Sequence, residues 1–219
     1  MRQRSHPLPP LMPTARAALA AACVLLFLSL LSACSPKPAP LSPLPGDAII
    51  LAFGDSLTAG TGAEESRSYP RQLAALSGRK VINAGLPGEV SSDGLARLPA
   101  LLDEHQPHLL ILTHGGNDLL RRMDVEQTRD NLAAMIRLAR DRGTEVLLVA
   151  VPAPTLLRLR SDAIYAEIGQ AFRIPVENGA LARILARDAM KSDPIHPNAD
   201  GYRYLAEHIH RLLIETGAL

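Results

Sequence analysis

The feature that most restricts the fold of this chain is the alternation of short apolar runs with amphipathic stretches. Continuous apolar runs are typical of strands that are buried on both faces of a sheet, because every side chain then packs against protein. Runs of this kind occupy residues 48–53, 81–82, 109–112 and 146–151, and a weaker one surrounds residues 174–176. The sequence therefore predicts five strands.

Amphipathic stretches lie between and after these strands. Mostly apolar residues that recur at steps of three and four give a helix one apolar face. One such series is Val125, Thr128, Leu132, Met135, Ile136 and Ala139. A second series, near the C-terminus, is Tyr202, Leu205, Ile209, Leu212 and Leu213. We expect a helix at each place.

Strands and helices that alternate about five times predict an α/β fold. The expected architecture is a three-layer α/β/α sandwich, in which helices cover both faces of a five-stranded parallel sheet. Ligands of such sheets bind beyond the carboxyl ends of the strands. Reactive side chains are therefore expected directly after a strand.

Residues 1–33 differ from the rest of the chain and are predicted to be a signal peptide. Arg2, Arg4 and Arg16 give a positive start, and residues 17–33 then run uncharged and mostly apolar to a small-residue end. That length suits a secretory signal better than a stable membrane span, which needs about 20 apolar residues. An uncleaved N-terminal anchor is the alternative.

Both cysteines of the chain belong to this N-terminal region. Cys23 lies inside the apolar run, and Cys34 ends it in the sequence Leu-Ser-Ala-Cys. The pattern resembles a bacterial lipobox, in which the cysteine is lipidated and becomes the mature N-terminus. We expect a cell-envelope protein that is anchored to a membrane by lipid at Cys34. If the source is Gram-negative, Ser35 resembles the signal for the outer membrane, and the domain would lie on its periplasmic face.

Residues 34–46 are predicted to be the lipidated cysteine and a proline-rich linker, and residues 47–219 the folded domain. The linker contains five prolines between residues 35 and 46, which favour extended polyproline II at about 3.1 Å per residue. A plain disordered linker is the alternative. Either form would hold the domain away from a membrane.

Charge and composition argue against several function classes. The net charge of the 219 residues is +1, which gives no indication of a nucleic-acid-binding surface. Residues 47–219 contain no cysteine, so the domain can have neither a disulfide nor a cysteine-ligated metal. The histidines show no metal-ligand spacing either. No obligate protein partner is evident.

A serine follows the first predicted strand in the sequence Gly54-Asp55-Ser56-Leu57. Ser56 would open the next helix, where free backbone N–H groups and the helix dipole favour a developing oxyanion. The alternative is that Asp55 or Ser56 only caps that helix. Thr58 stands where a G-x-S-x-G elbow has glycine, so the ordinary α/β-hydrolase elbow is excluded.

Glycine-rich turns follow the second and third predicted strands. In the first turn, which ends at Gly88, backbone N–H groups can face a cavity. The second turn contains Gly116 and Asn117, and the Asn117 amide can donate a hydrogen bond to an anion. A purely structural turn, or a helix cap at Asn117, is the alternative.

Asp193 and His196 lie far along the chain and are three residues apart. One short turn can supply both side chains, because Pro194 and Pro197 restrict the backbone after each of them. The carboxylate can then orient the imidazole while the other ring nitrogen faces an incoming group. A surface histidine before a helix is the alternative.

These four segments, in this order, resemble the SGNH or GDSL hydrolase family. Gly54-Asp55-Ser56-Leu57 matches the first block of the family and Gly88 the glycine of the second. Residues 116–118 match the third block, and Asp193 with His196 the fourth. The resemblance extends from residue 49 through the C-terminal helix. It is strongest to bacterial acyl-CoA thioesterase/lysophospholipase and arylesterase lipoproteins, and it implies a flavodoxin-like fold.

The resemblance also implies a role for each site residue. Ser56 would be the nucleophile, His196 the general base and Asp193 the residue that orients the imidazole. The oxyanion hole would consist of the backbone N–H groups of Ser56 and Gly88 and the side-chain amide of Asn117. The implied activity is that of a serine esterase that hydrolyses carboxylic esters or thioesters through an acyl-serine intermediate, with no metal or organic cofactor.

The sequence leaves the substrate open among aryl esters, acyl esters and lysophospholipids. Residues 152–160 follow the fourth strand, and their leucines could line an acyl groove or belong to the core. One alternative function is a carbohydrate O-acetylesterase on the same fold. Another is a non-catalytic lipoprotein of the cell envelope.

Overall fold

A parallel sheet is the centre of the protein in a computed structural model that describes residues 38–153, 160–161 and 163–219. The strands of the described residues are β1 (Ile49–Gly54), β2 (Lys80–Gly85), β3 (Leu109–Thr113), β4 (Glu145–Val149), β5 (Pro152–Ala153), β6 (Arg160–Ser161) and β7 (Val176–Glu177). Five of them form one sheet in the order β2-β1-β3-β4-β7, and all of its pairs are parallel. β5 and β6 form a small antiparallel ribbon.

Helices cover the sheet in two layers. They are α1 (Ser56–Ala59), α2 (Tyr69–Ser77), α3 (Ser91–His105), α4 (Gly116–Leu120), α5 (Val125–Arg140), α6 (Ala163–Phe172), α7 (Ala180–Leu185) and α8 (Ala199–Glu215). α2 packs on α8, and α3 packs on α5. The predicted α/β class with a five-stranded parallel sheet is therefore confirmed.

The apolar runs form the buried strands. Every residue of β3 is buried, and so is β1 after Ile49, because both strands lie inside the sheet between two neighbours. β2 is an edge strand, and its side chains are exposed or half-buried. This difference explains why the sequence showed only residues 81–82 of β2 as an apolar run.

The two helices predicted from apolar periodicity are α5 and α8. α5 begins after Asp124, whose carboxylate accepts the backbone N–H groups of Glu126 and Gln127. α8 begins after Asn198, whose side-chain oxygen caps the first turn in the same way. Side-chain caps satisfy N–H groups that the helix itself leaves free, so they fix where each helix begins.

The carboxyl ends of three neighbouring strands lie at one level. Gly54, the last residue of β1, is opposite Gly85 of β2 and Thr113 of β3. A side chain at Gly85 would overlap the backbone of Ala59, so glycine allows α1 to lie close against the end of β2. The loops after β1, β2 and β3 consequently begin side by side.

The folded domain begins before the predicted boundary at residue 47. The backbone N–H groups of Leu41 and Leu44 donate to the carbonyls of Thr216 and Ala218 at 3.0 and 2.9 Å. The backbone N–H and the hydroxyl of Ser42 both donate to the Glu145 carboxylate at 2.9 Å. Leu44 also joins the hydrophobic core. The second half of the predicted linker is therefore docked on the domain, because its leucines find apolar partners there.

The predicted signal peptide and Cys34 lie outside the described residues. Within residues 38–153, 160–161 and 163–219, no helix has the length and apolar character needed to span a membrane.

Leu110→Ala is expected to lower the free energy of unfolding by about 2–5 kcal/mol, because it leaves a cavity in a central strand. Leu110 has no solvent exposure. The measurement is urea unfolding followed by circular dichroism.

Leu76→Ala is the matched control for Leu110→Ala. Leu76 is 43% exposed, so the same substitution there should change stability by no more than about 0.5 kcal/mol. Equal losses for the two variants would contradict the assignment of the core to this sheet.

Candidate active site

Ser56 is the first residue of α1, directly after β1. The cap of this short helix is Asp55, whose carboxylate accepts the Leu57 N–H at 3.0 Å. The sequence left open whether Asp55 or Ser56 caps this helix, and the structure shows that Asp55 does. The Ser56 side chain is not used in capping and contacts His196 instead.

A hydrogen-bonded chain of three side chains connects Ser56 to the C-terminal part of the protein. His196 Nε2 lies 3.0 Å from Ser56 Oγ, although the two residues are 140 positions apart. His196 Nδ1 lies 2.7 Å from Asp193 Oδ2. The structure thus brings together the serine, histidine and aspartate that the sequence singled out, in the order that nucleophilic catalysis requires.

The turn that carries Asp193 and His196 is held by its own hydrogen bonds. Asp193 Oδ1 accepts the backbone N–H groups of Ile195 and His196, both at 2.9 Å. Burial opposes ionisation of Asp193, but the hydrogen bonds from His196 and from these two N–H groups outweigh it and lower the pKa of Asp193. The carboxylate is therefore ionised when it receives the imidazole.

The three predicted oxyanion-hole residues, Ser56, Gly88 and Asn117, lie on three different segments at the carboxyl edge of the sheet. Within the described residues, the backbone N–H groups of Ser56 and Gly88 make no hydrogen bond. Gly88 has a φ of +80°, which glycine adopts without strain. Asn117 lies in the first turn of α4, so it neither caps that helix nor forms a simple turn. Asn117 lines a cleft together with Ser56 and His196, whereas Gly88 lies in the neighbouring loop outside the cleft lining.

A cleft lies beside Ser56. Apolar side chains form most of its wall, and two of them, Leu120 and Ile195, are 41% and 39% exposed at the surface. The apolar lining residues are Leu57, Leu120, Val151, Pro152, Leu185, Pro194 and Ile195. The arrangement can hold an apolar group next to the hydroxyl.

Three buried or half-buried polar residues near the cleft were not predicted as site residues. Glu89 accepts hydrogen bonds from Arg97 and lies 3.1 Å from the Nε2 atom of His114. No spacing in the sequence indicated that these three residues meet. The Glu89 backbone carbonyl accepts a hydrogen bond from Asn117 Nδ2 at 2.9 Å, which connects the three residues to the cleft.

Two of the buried carboxyls at this edge of the sheet, Asp55 and Glu89, have opposite pKa shifts. Burial raises the pKa of Asp55, and His114 and the Leu57 N–H only partly oppose this. Burial also acts to raise the pKa of Glu89, but hydrogen bonds from Arg97 and His114 lower it to about 2. Glu89 is therefore ionised at neutral pH, whereas Asp55 is shifted towards its neutral form.

The segment that follows β4 is only partly described. Pro152 lines the cleft, but residues 154–159, which carry the leucines predicted to line an acyl groove or the core, lie outside the described residues. That prediction stays a prediction. In the part of the chain that the structure describes, no group of three or more His, Cys, Asp or Glu residues could hold a metal ion.

Known proteins share this sequence pattern. A family model described as the GDSL-like Lipase/Acylhydrolase family matches residues 52–204. The chain is 33% identical over 171 residues to "Thioesterase 1/protease 1/lysophospholipase L1" of Escherichia coli K12, which covers 75% of this chain and 82% of the relative. It is 31% identical over 176 residues to "Arylesterase" of Vibrio mimicus, with 76% and 88% covered.

Solved structures share the fold. The structure described as "Crystal Structure of TesA" superimposes with a TM-score of 0.69 at 31% sequence identity. The match covers 75% of this chain and 97% of that one. The family match at residues 52–204 includes every site residue from Ser56 to His196.

Glu89→Gln is expected to change how stability depends on pH. The pKa of Glu89 is about 2 in the folded protein against an ordinary value of 4.5. A lowered pKa stabilises the fold above pH 4.5, and the contribution is lost as the pH falls from 4.5 towards 2. It amounts to at most about 3 kcal/mol. Urea unfolding from pH 7 down to pH 3 should show wild type losing its advantage over Glu89→Gln below pH 4.5.

Glu64→Gln is the control for this measurement, because Glu64 is an exposed glutamate. It should keep the wild-type dependence of stability on pH. A constant difference between wild type and Glu89→Gln down to pH 3 would mean that the Glu89 carboxylate is not the group lost in acid.

Proposed function

The chain belongs to the GDSL-like lipase/acylhydrolase family and hydrolyses ester bonds, and from this premise we propose that Ser56, His196 and Asp193 are its catalytic triad. The observation that carries the proposal is the contact between His196 Nε2 and Ser56 Oγ at 3.0 Å, with Asp193 on the other ring nitrogen at 2.7 Å. A serine that meets a base, which in turn meets an orienting carboxylate, is an activated nucleophile.

The first half of the reaction forms an acyl-enzyme. Ser56 Oγ attacks the carbonyl carbon of the ester while His196 Nε2 takes the hydroxyl proton. The carbonyl oxygen becomes an oxyanion, which accepts hydrogen bonds from the Ser56 and Gly88 N–H groups and from the Asn117 amide. The tetrahedral intermediate then expels the alcohol or thiol, which receives the proton from His196, and the acyl group stays on Ser56.

The second half of the reaction regenerates the enzyme. His196 Nε2 takes a proton from water, and the oxygen of that water attacks the acyl carbon on Ser56. The second tetrahedral intermediate expels Ser56 Oγ, which recovers its proton from His196. Asp193 stabilises the imidazolium in both halves, because its carboxylate is ionised and accepts a hydrogen bond from the Nδ1–H group. No step needs a group other than the enzyme, the ester and water.

The substrates that we propose are carboxylic esters or thioesters with an apolar acyl or aryl group. The apolar wall of the cleft supports this class, because removing apolar surface from water stabilises the bound ester. The names of the relatives point to the same range of substrates, since one is called a thioesterase and lysophospholipase and another an arylesterase. Lysophospholipids lie within this class.

Ser56→Ala should abolish turnover of aryl esters and thioesters of graded acyl length, because the nucleophile is lost. The expected fall in kcat is about 10⁶-fold. The same variant should lose labelling by a fluorophosphonate probe and keep its circular dichroism spectrum.

Ser66→Ala is the matched control, since Ser66 is an exposed serine of the same chain. It should retain labelling and turnover. Wild-type activity in Ser56→Ala would refute the proposed triad. Activity on short acetyl esters alone would contradict the proposed apolar substrate class.

For the cell, we propose an envelope enzyme that is anchored to a membrane by lipid on Cys34. The support is the sequence order of a positive start, an apolar run, a small-residue end and Cys34. A single acyl chain gives marginal membrane binding, and stable anchoring needs more than one. The anchor would keep the enzyme beside a membrane while the domain works in the aqueous phase.

Cys34→Ser should abolish incorporation of an alkyne-tagged fatty acid when the protein is produced in a lipoprotein-processing bacterium. The measurement is in-gel fluorescence after attachment of a dye to the alkyne. Cys23→Ser is the control and should be labelled like wild type, because Cys23 lies within the apolar run. Label that persists in Cys34→Ser, or that is absent from wild type, contradicts the proposed anchor.

A further inference from the structure

The side-chain amide of Asn117 is directed by one backbone carbonyl. Asn117 Nδ2 donates to the carbonyl of Glu89 at 2.9 Å and lies 3.4 Å from Asp55 Oδ2. The first distance is that of a normal hydrogen bond, and the second is that of a long, weak one. One amide hydrogen is therefore committed to Glu89, and the other, which is held only by the weak bond to Asp55, can be given to an oxyanion in the cleft that Asn117 lines.

The Glu89 side chain is held from one side by Arg97. Arg97 Nε donates to Glu89 Oε1 at 2.8 Å, and Arg97 Nη2 donates to Oε2 at 2.7 Å. Nη2 also donates to the carbonyl of Ala84 at 3.1 Å. The guanidinium lies over the ring of Phe53 in β1, 4.4 Å from its centroid. This paired geometry fixes the direction of the carboxylate as well as its position.

His114 holds the same carboxylate from the other side. The Gly115 N–H donates to His114 Nδ1 at 3.0 Å, so the ring proton lies on Nε2, which donates to Glu89 Oε2 at 3.1 Å. The imidazole is fully buried and packs against Phe53. A side chain at Gly94 of α3 would overlap His114 Nε2, so glycine at this position allows the helix to pass over the ring.

We propose that Arg97 and His114 are positioning residues for ester hydrolysis: by holding the Glu89 carboxylate between them, they fix the Glu89 carbonyl that aims the Asn117 amide into the oxyanion hole. The proposal rests on the proposed function of Asn117. Arg97 belongs to α3, His114 follows β3, and Glu89 lies in the loop after β2. The three residues thus connect the segments that follow β2 and β3, which lie on either side of the segment that carries Ser56 after β1.

A purely structural role predicts a different result. The Glu89 side chain is only 2% exposed, and a buried carboxylate needs strong donors wherever it lies. That need does not require the backbone carbonyl of Glu89 to bind Asn117, a side chain that lines the cleft. If the arrangement serves Asn117, its loss must slow the chemical step, and it must do so only while Asn117 is present.

The test is a double-mutant cycle between Arg97→Lys and Asn117→Ala in the full chain. Lysine keeps the charge but loses the paired hydrogen bonds. Asn117→Ala alone should lower kcat by about 10²–10³-fold, the usual loss for one oxyanion donor. Arg97→Lys should lower kcat by about 10-fold with an unchanged KM. When residue 117 is already alanine, Arg97→Lys should lower kcat by less than about 2-fold, because the effects of residues that act as one unit are not additive.

Variants at His114 test the same proposal independently and without changing a formal charge. His114→Gln places an amide N–H near the position of Nε2 and should keep kcat within about 2-fold of wild type. His114→Leu removes the donor and should lower kcat by about 10-fold, again only when Asn117 is present. This pair decides the question if Arg97→Lys does not fold.

Arg142→Lys is the matched control. Arg142 also holds a carboxylate through two nitrogens, that of Asp103, but the pair is exposed and away from the cleft. The substitution should leave kcat and KM unchanged. Thermal unfolding of every variant separates loss of activity from loss of fold.

Two results would overturn the positioning role. One is a loss of kcat from Arg97→Lys or His114→Leu that is equal in both Asn117 backgrounds, and the other is a raised KM with an unchanged kcat. Ser56→Ala distinguishes these failures from failure of the proposed function. If Ser56→Ala is active, the proposed triad is refuted. If Ser56→Ala is inactive and the losses of kcat are equal in both Asn117 backgrounds, only the positioning role of Arg97 and His114 is refuted.

Discussion

The site depends on the parallel register of β1 with both of its neighbours. Gly54 is opposite Gly85 and Thr113, so three chain segments leave the sheet at the same level. Each strand of a parallel sheet directs its carboxyl end to the same edge, which is why ligands bind there. Had β1 paired one residue out of register, its apolar side chains would have faced the wrong layer. The same core packing that stabilises the sheet therefore places Ser56 between the loops that carry Gly88 and Asn117.

Asp193 and His196 reach this edge of the sheet through contacts that the three strands do not make. Asp193 and His196 lie in a turn before α8, and α8 packs on α2, which follows the Ser56 loop. The hydroxyl of Tyr202 in α8 donates to the carbonyl of Thr61 at 2.7 Å. A side chain at Gly62 would overlap Ser192, so the two segments touch directly. Hence contacts between the segments that carry Ser56 and His196, and not the triad hydrogen bonds alone, bring these two side chains together.

Much of the fold could be predicted from the sequence because burial dictates residue type. Residues 109–112 are apolar because β3 is covered on both faces, and α5 shows apolar periodicity because one face packs on the sheet. The sequence analysis predicted no helix over α3, where Gly94 and Pro99 both disfavour a helix interior although Leu98 and Leu102 repeat at a helical step. Gly94 is explained only by the fold, which places His114 against it.

The candidate site could also be predicted only in part. Ser56, Asn117, Asp193 and His196 stood out because each follows a strand or shares a turn, and the ordered blocks resembled a family. Glu89, Arg97 and His114 could not be predicted as a group. Their contacts join residues 8 and 25 positions apart that belong to different elements, so no periodicity within one helix or strand relates them. Such pairs become visible only when packing has brought two loops together.

Two of the buried carboxyls at this edge, Asp55 and Glu89, are accommodated in different ways. A negative charge on either would oppose a second negative charge on the neighbouring substrate oxygen, because charges interact strongly where water is excluded. Burial raises the pKa of Asp55 and so acts against its charged form. Glu89 is ionised, but the cation of Arg97 lies directly against it, so the pair presents little net charge. Desolvation of Asp55 and pairing of Glu89 thus both act against the repulsion that an oxyanion at Ser56 would meet from these two groups.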